Sequence, residues 1–210
     1  ALAWPGFIPI LCLVSASVLN AAPVKIADIN AGGDSDAIPF ASLQSTVFFL
    51  ADDGVHGPTT LWRSDGTPEG TQRVNDATAD VDAVWNANIL TQTDAFLYFS
   101  ATDSSYGTEL WRSDGTADGT LLLADIQAGT ASSDPSAVVT VGDIAFFAAT
   151  IAPGARILLK TDGTREGTTA LTGNDNSAYT NPQYFATHGG TVFFHATTNG
   201  RSGRLWRTEL

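Results

Sequence analysis

The chain has 210 residues, of which 43% are hydrophobic and 15% charged, a balance that excludes a disordered polyelectrolyte and a coiled coil. Lys and Arg number 10 against 22 Asp and Glu, so the net charge is −12. This charge argues against a nucleic-acid partner and against electrostatic docking on an anionic membrane. Cys12 is the only cysteine, which excludes an intrachain disulfide framework and a cysteine-based zinc site.

The chain opens with an uncharged apolar segment, residues 1–23. Pro5 and Pro9 limit an uninterrupted helix to residues 10–22, which is shorter than the roughly 20 residues of a membrane span. Three interpretations stand: a tail that packs on a neighbouring subunit, a signal sequence, or a membrane anchor, and only the anchor predicts membrane contact. The side chains predicted to act in assembly are large and apolar: Trp4, Phe7, Ile8, Ile10, Leu11, Leu13, Val14, Val24 and Ile26.

An internal repeat dominates the rest of the sequence. LWRSDGTPEGT at 61–71 recurs as LWRSDGTADGT at 110–120 and as LLKTDGTREGT at 158–168, and LWRT begins a fourth copy at Leu205. The leading leucines are 49, 48 and 47 residues apart. An aromatic pair keeps the same step: Phe48-Phe49, Tyr98-Phe99, Phe146-Phe147 and Phe193-Phe194.

Each repeat predicts four short antiparallel strands. The aromatic pairs lie in apolar runs, which read as strands at 46–51, 95–101, 144–149 and 191–196. Because their apolar residues are consecutive, both faces of these strands have to be covered. The Leu-Trp element is the next strand, and the Asp-Gly-Thr motif joins it to an outer strand. A weaker first strand is predicted near 40–43, 88–91, 137–141 and 184–187.

The Asp-Gly-Thr motif predicts a hairpin turn. An Asp side chain can bond the backbone two residues further on, and we expect each glycine of the motif to adopt positive φ. The turn geometry alone accounts for these residues, so their predicted role is structural. The residues concerned are Asp65, Gly66, Asp114, Gly115, Asp162 and Gly163.

Four strands in each 47–49 residues, with burial on both faces, predict an all-β four-bladed β-propeller over residues 24–210. A stacked solenoid is the alternative, since it also buries both faces of each repeat. VKIADI at 24–29 matches LLLADI at 121–126, and predicts an outer strand that completes the last blade. That pairing either closes a ring within one chain or links two chains by strand addition.

The stretch ELWRSDGTADGT at 109–120 closely resembles the ELWxxDGT repeat of bacterial secreted and surface proteins. The other copies carry Thr60, Ile157 and Arg204 in place of the glutamate. The resemblance covers nearly all of residues 24–210, and it implies a β-propeller-like array located outside the cell or on its surface. It implies no particular chemistry, so the function has to be argued from a site.

The sequence contains no recognisable catalytic motif, and we predict that the protein is not an enzyme. Its three histidines form no H-E-x-x-H pattern, and no G-x-S-x-G motif occurs. Asp52, Asp53 and Asp103 follow the aromatic strands and are candidate Ca²⁺ ligands, because hard oxygen donors in turns suit this ion. The alternative is that these aspartates are solvated turn residues, and no cofactor other than Ca²⁺ is predicted.

The sequence leaves two functions open. The first is a structural subunit of an extracellular assembly or filament, joined to copies of itself through the N-terminal segment, strand complementation or both. The alternative is a secreted propeller module that binds a glycan or another surface protein, with Ca²⁺ as its candidate cofactor. We expect Trp62, Trp111 and Trp206 to pack between blades rather than to stack on sugars, because Leu159 replaces one member of the series.

Overall fold

The computed structural model describes residues 23–55, 60–74, 85–173, 175–198 and 201–209. These residues form an all-β structure of antiparallel strands with no helix, as the sequence predicts. No helix among them could therefore cross a membrane. Of the predicted N-terminal segment, residues 1–23, all but Pro23 lie outside the described residues.

The strands form four units, one for each sequence repeat. Unit 1 contains β1 (Ile38–Leu43), β2 (Thr46–Ala51), β3 (Thr60–Ser64) and β4 (Gln72–Arg73). Unit 2 contains β5 (Trp85–Gln92), β6 (Leu97–Asp103), β7 (Gly107–Ser113) and β8 (Leu121–Ala124). Unit 3 contains β9 (Ser136–Val141), β10 (Ile144–Ala152), β11 (Ala155–Thr161) and β12 (Thr169–Ala170). Unit 4 contains β13 (Thr180–His188), β14 (Thr191–Thr198) and β15 (Arg201–Glu209).

The strands within each unit pair in sequence order, so each unit is an antiparallel meander. Units 1 and 2 are separate four-stranded sheets, whereas units 3 and 4 share one sheet through the single pair Ile157 and Thr180. The predicted apolar strands are confirmed at β2, β6, β10 and β14. The outer strands of units 1 and 3 are only two residues long.

The core lies between units, and the aromatic strands β6 and β10 are buried on both faces. The prediction that both faces are covered is wrong for β14, whose buried residues alternate and face unit 3. Phe48 of unit 1 packs with Leu97 and Phe99 of unit 2. Tyr98 lies between Leu97 and Phe99 on β6, and it packs with Phe147 in the cluster that joins unit 2 to unit 3. Phe146 joins unit 3 to unit 4 in the same way. We call the face toward the next unit the forward face, and the face toward the preceding unit the rear face.

Residues 24–29 belong to no strand, so the predicted outer strand is not formed in this single chain. They lie beside unit 1, where Val24, Ile26 and Ile29 line a pocket of about 340 Å³ together with Val47 and Phe49 of its rear face. The hydrophobic clusters of the described residues join successive units, and none of them joins unit 4 to unit 1. Closure of the four units into a propeller ring therefore stays a prediction.

Candidate functional site

The Asp-Gly-Thr turn has the same hydrogen bonds in all three copies. In unit 2, Asp114 Oδ1 accepts from the backbone N–H of Thr116 at 2.8 Å and from its hydroxyl at 2.6 Å. The Thr116 hydroxyl accepts in turn from the N–H of Gly119 at 2.9 Å. The hydroxyls of Ser113 and Thr120 bond across the base of the turn at 2.7 Å. The same set recurs around Asp65 and Asp162, in agreement with the predicted structural role.

The two glycines of the turn are required for different reasons. The first has positive φ, at 92° for Gly66, 92° for Gly115 and 87° for Gly163. The expectation that the second glycine also has positive φ is wrong, since neither Gly119 nor its counterparts at positions 70 and 167 do. At these positions a Cβ would overlap the carboxylate of the turn aspartate. The second glycine therefore makes room for the aspartate that holds the turn.

The turn hydrogen bonds also lower the pKa of the three aspartates. For Asp65 and Asp162 the main cause is the hydroxyl bond from the threonine two residues on. For Asp114 burial acts most strongly and would raise the pKa, but the two bonds from Thr116 and the charge of Arg112 outweigh it together. The turn hydrogen bonds stabilise the ionised form of each aspartate, and each carboxylate in turn fixes the conformation of its turn.

Gly163 and Gly66 form a matched pair for testing contact between units. A Cβ on Gly163 would lie 2.7 Å from the Phe96 ring of unit 2, whereas a Cβ on Gly66 would meet nothing within 4 Å. Both residues have similar positive φ, so alanine carries the same backbone strain at each. We expect Gly66→Ala to lower the free energy of unfolding by about 1 kcal/mol and Gly163→Ala by about 3 kcal/mol. Equal losses in urea denaturation of the two variants would contradict a tight contact between units 2 and 3.

The three candidate Ca²⁺ ligands all accept hydrogen bonds in their own loops. Asp52 Oδ1 and Asp103 Oδ1 each accept from the backbone N–H two residues on at 2.7 Å, and Asp53 Oδ1 does so at 2.9 Å. Within the described ranges, no three or more His, Cys, Asp or Glu side chains lie together as a metal site. The geometry accounts for these aspartates as turn residues, and Ca²⁺ binding stays a prediction.

The recurrent tryptophans lie on the rear faces of their units. Trp111 is buried in the cluster between units 1 and 2. Trp206 packs against the cluster between units 3 and 4, and its Nε1 donates to the Ala196 carbonyl at 3.3 Å. Trp62 stacks on Phe49 with ring centroids 6.4 Å apart, on the rear face of unit 1. Packing between units is therefore confirmed for Trp111 and Trp206.

Glu109 has a role that sequence reasoning missed. Its side chain is fully buried, and its carboxylate accepts hydrogen bonds from the backbone N–H groups of Ile126, Gln127 and Ser133 at 3.1–3.3 Å. The Ser133 hydroxyl adds a fourth bond at 2.6 Å. Burial raises the pKa of Glu109 to about 6, because removing the carboxylate from water outweighs these bonds. Glu109 thus ties the connection between units 2 and 3 to strand β7.

The apolar residues predicted to act in assembly can be located only in part. Val24 and Ile26 are exposed at the edge of the pocket beside unit 1. The others, from Trp4 to Val14, lie outside the described residues. His195 is half-buried on the forward face of unit 4, where its ring lies 6.1 Å from that of Tyr184.

A second cavity, of about 670 Å³, lies along strand β15. Trp206, Arg207 and Thr208 line one side of it, and Leu171 and Tyr179 line the other. Strand β15 is the last strand of its sheet, and among the described residues no strand pairs with its outer edge. In unit 2 the equivalent edge of β7 is occupied by β8. The cavity therefore lies where the other units have an outer strand.

No protein-family model matches the chain, and no curated protein matches it significantly. The resemblance to the ELWxxDGT repeat therefore stays a prediction. So does the extracellular location that this resemblance implies. The function has to be argued from the geometry of the units and of their two uncovered ends.

Proposed function

We propose that the four units are the blades of a four-bladed β-propeller whose last and first blades meet between chains, and that the protein is a structural subunit of an extracellular assembly or filament. Successive units pack face to face through the same aromatic strand, which is the packing that a propeller requires. The assembly is joined by the N-terminal segment and by strand complementation.

The observation that carries the proposal is an outer-strand position beside β15 that no strand of the described residues occupies. Leu205 and Trp206 on β15 correspond to Leu110 and Trp111 on β7, whose outer partner is β8. The segment 24–29 matches β8 and its continuation in sequence but is unpaired in the chain. An unpaired strand edge is a template for another chain, and the segment supplies a matching strand.

The energetics favour a partner for this segment. Val24 is 82% exposed and Ile26 is 43% exposed, so their apolar side chains contact water. Full burial of such a side chain contributes roughly 1.5–3 kcal/mol. Pairing with β15 would add backbone hydrogen bonds along an edge with which no described strand pairs. Both gains are realised only when the segment reaches the edge of β15.

The proposal predicts that the full chain associates and that two changes abolish association. One is deletion of residues 1–23, and the other is Ile26→Pro, since proline cannot donate a ladder hydrogen bond. Ile26→Val is the matched control, because it keeps the backbone donor and a β-branched side chain. Light scattering and electron microscopy of the full chain should show polymers. The deletion should leave a single chain of correspondingly lower mass, and Ile26→Pro should leave a single chain near 21.9 kDa. A full chain that is monodisperse at that mass would contradict the proposal.

One observation favours the alternative, a secreted module that binds a glycan or a protein. Val55, Tyr106 and Ile151 are exposed apolar residues at or near the connection between the second and third strands of units 1, 2 and 3. Loops that converge on one face of a repeat array commonly carry its binding site. A chain without residues 1–23 that keeps its fold and binds a glycan, while the full chain remains monomeric, would favour this alternative.

A further inference from the structure

The two ends of the array expose positions that are buried wherever one unit meets another. On the forward face, Leu205 of unit 4 is 75% exposed. Its counterparts are 0–3% exposed: Leu61, Leu110 and Leu158. On the rear face, Val47 of unit 1 is 44% exposed. Its counterparts are all fully buried: Leu97, Ala145 and Val192.

The turn glycines repeat this pattern. A Cβ on Gly115 would lie 3.5 Å from the Phe48 ring of the preceding unit, and one on Gly163 would meet Tyr98 of its preceding unit at 3.0 Å. Among the described residues no unit packs on the rear face of unit 1, and a Cβ on Gly66 would meet no atom within 4 Å. Phe193 of unit 4 is the counterpart of Phe48 and Tyr98, so it is the aromatic residue that would cover Gly66.

A polar contact extends the correspondence. Arg63 of unit 1 donates from its guanidinium to the carbonyl of Gly115 in the turn of unit 2. Arg207 holds the same position in the strand of unit 4, since both residues pair with the aromatic residue of the preceding strand, Phe48 for Arg63 and Phe193 for Arg207. The forward face of unit 4 thus presents an apolar leucine, an aromatic ring and an arginine in the arrangement that unit 1 uses.

We propose that the forward face of unit 4 docks on the rear face of unit 1 of a second copy of this chain. The contact would repeat the packing that already joins successive units, with Phe193 over Gly66 and with Leu205 and Val47 buried in the joint. The two surfaces differ, so the contact is heterologous and each copy offers one of each. This inference rests on the proposed assembly and specifies the surface through which subunits meet.

The test uses the full chain and one charge on each face. Leu205→Asp and Val47→Asp should each weaken association about 100-fold or more, because an unpaired carboxylate would be buried in the joint. The controls are residues of similar exposure away from both faces: Val55→Asp for the first variant, and Ile151→Asp for the second. The controls should associate like the unchanged chain. Circular dichroism should show that all four variants keep the same strand content.

Mixing the two variants gives the sharper readout. The Leu205→Asp chain keeps an intact rear face, and the Val47→Asp chain keeps an intact forward face. Each alone should remain a single chain, whereas an equimolar mixture should form a particle of twice the 21.9 kDa chain mass and grow no further. A variant that had merely misfolded could not be rescued in this way.

Three results would overturn the inference, and they are distinguishable from failure of the proposed function. If the full chain polymerises and Leu205→Asp polymerises equally well, the subunits meet elsewhere, and the assembly proposal survives without this surface. If the mixture forms no paired particle, the two faces do not bind each other. If the unchanged chain is monomeric and Leu205→Asp alone lowers its melting temperature relative to Val55→Asp, the occupant is unit 1 of the same chain.

Discussion

Glu109→Ala is expected to lower the free energy of unfolding by about 4 kcal/mol at pH 7, and the melting temperature by roughly 10 °C. The substitution leaves the N–H groups of Ile126 and Gln127 and the hydroxyl of Ser133 without their acceptor. The N–H of Ser133 keeps only its bond to the Thr108 carbonyl. Buried donors that lose their acceptor are costly because no water reaches them. Urea denaturation followed by circular dichroism measures the loss. Glu166→Ala, which removes an exposed glutamate, is the control and should be close to neutral.

The charge of Glu109 also predicts a pH dependence. Because burial raises its folded pKa to about 6 from 4.5, the folded state binds the proton more tightly than the unfolded chain does. This group therefore stabilises the fold as the pH falls, by about 1 kcal/mol between pH 7 and pH 5 and about 2 kcal/mol in full. Glu109→Gln has no such proton to bind. The free energy of unfolding of the unchanged chain, relative to that of Glu109→Gln, should therefore rise by about 1 kcal/mol from pH 7 to pH 5. A constant difference would contradict the raised pKa.

The turn aspartates act in the opposite direction at lower pH. The folded pKa of Asp65, Asp114 and Asp162 lies below the ordinary value of 3.8. Their contribution is present above pH 3.8 and is lost as the pH falls through the folded pKa values. The comparison at pH 7 and pH 5 therefore isolates Glu109 from the turns.

The repeat made most of the fold predictable. Each aromatic pair identified the second strand of a unit, and each Asp-Gly-Thr motif identified the turn that follows the next strand. Both signals are local, and they recur often enough for chance to be excluded. The outer strands were harder to place, because only two residues of β4 and of β12 pair with their neighbours. A pattern of alternating or consecutive apolar residues needs more length than that to be recognised.

The site depends on contacts that no local pattern carries. Glu109 occurs in one copy of the repeat only, and its partners lie 17 to 24 residues further along the chain. Leu205 holds the same position in the repeat as Leu61, Leu110 and Leu158, yet it is exposed because no unit of the described residues packs on it. Repetition in sequence thus predicted what each unit looks like, whereas the uncovered ends became visible only once the units were placed side by side.

Phe146→Ala and Phe193→Ala are expected to differ strongly in dilute solution, although they alter the same position of the repeat. Phe146 is fully buried between units 3 and 4, and its removal should lower the free energy of unfolding by about 4 kcal/mol. Phe193 is half-buried on the uncovered face of unit 4, and its removal should lower the free energy of unfolding by about 1 kcal/mol. Both phenylalanines lie in a central strand, β10 or β14, and each is opposite a cationic residue: Lys160 for Phe146 and Arg207 for Phe193. Differences in strand propensity between the two sites therefore cancel.

The same pair reveals whether a second copy covers the face. A ligand that binds only the folded state raises stability with concentration, and here the ligand is the chain itself. The melting temperature of the unchanged chain and of Phe146→Ala should therefore rise with protein concentration, whereas that of Phe193→Ala should not. Differential scanning calorimetry over a hundredfold range of concentration makes the comparison. An equal rise in all three would mean that association does not use the Phe193 face, because a residue outside the joint cannot alter the linkage between folding and association.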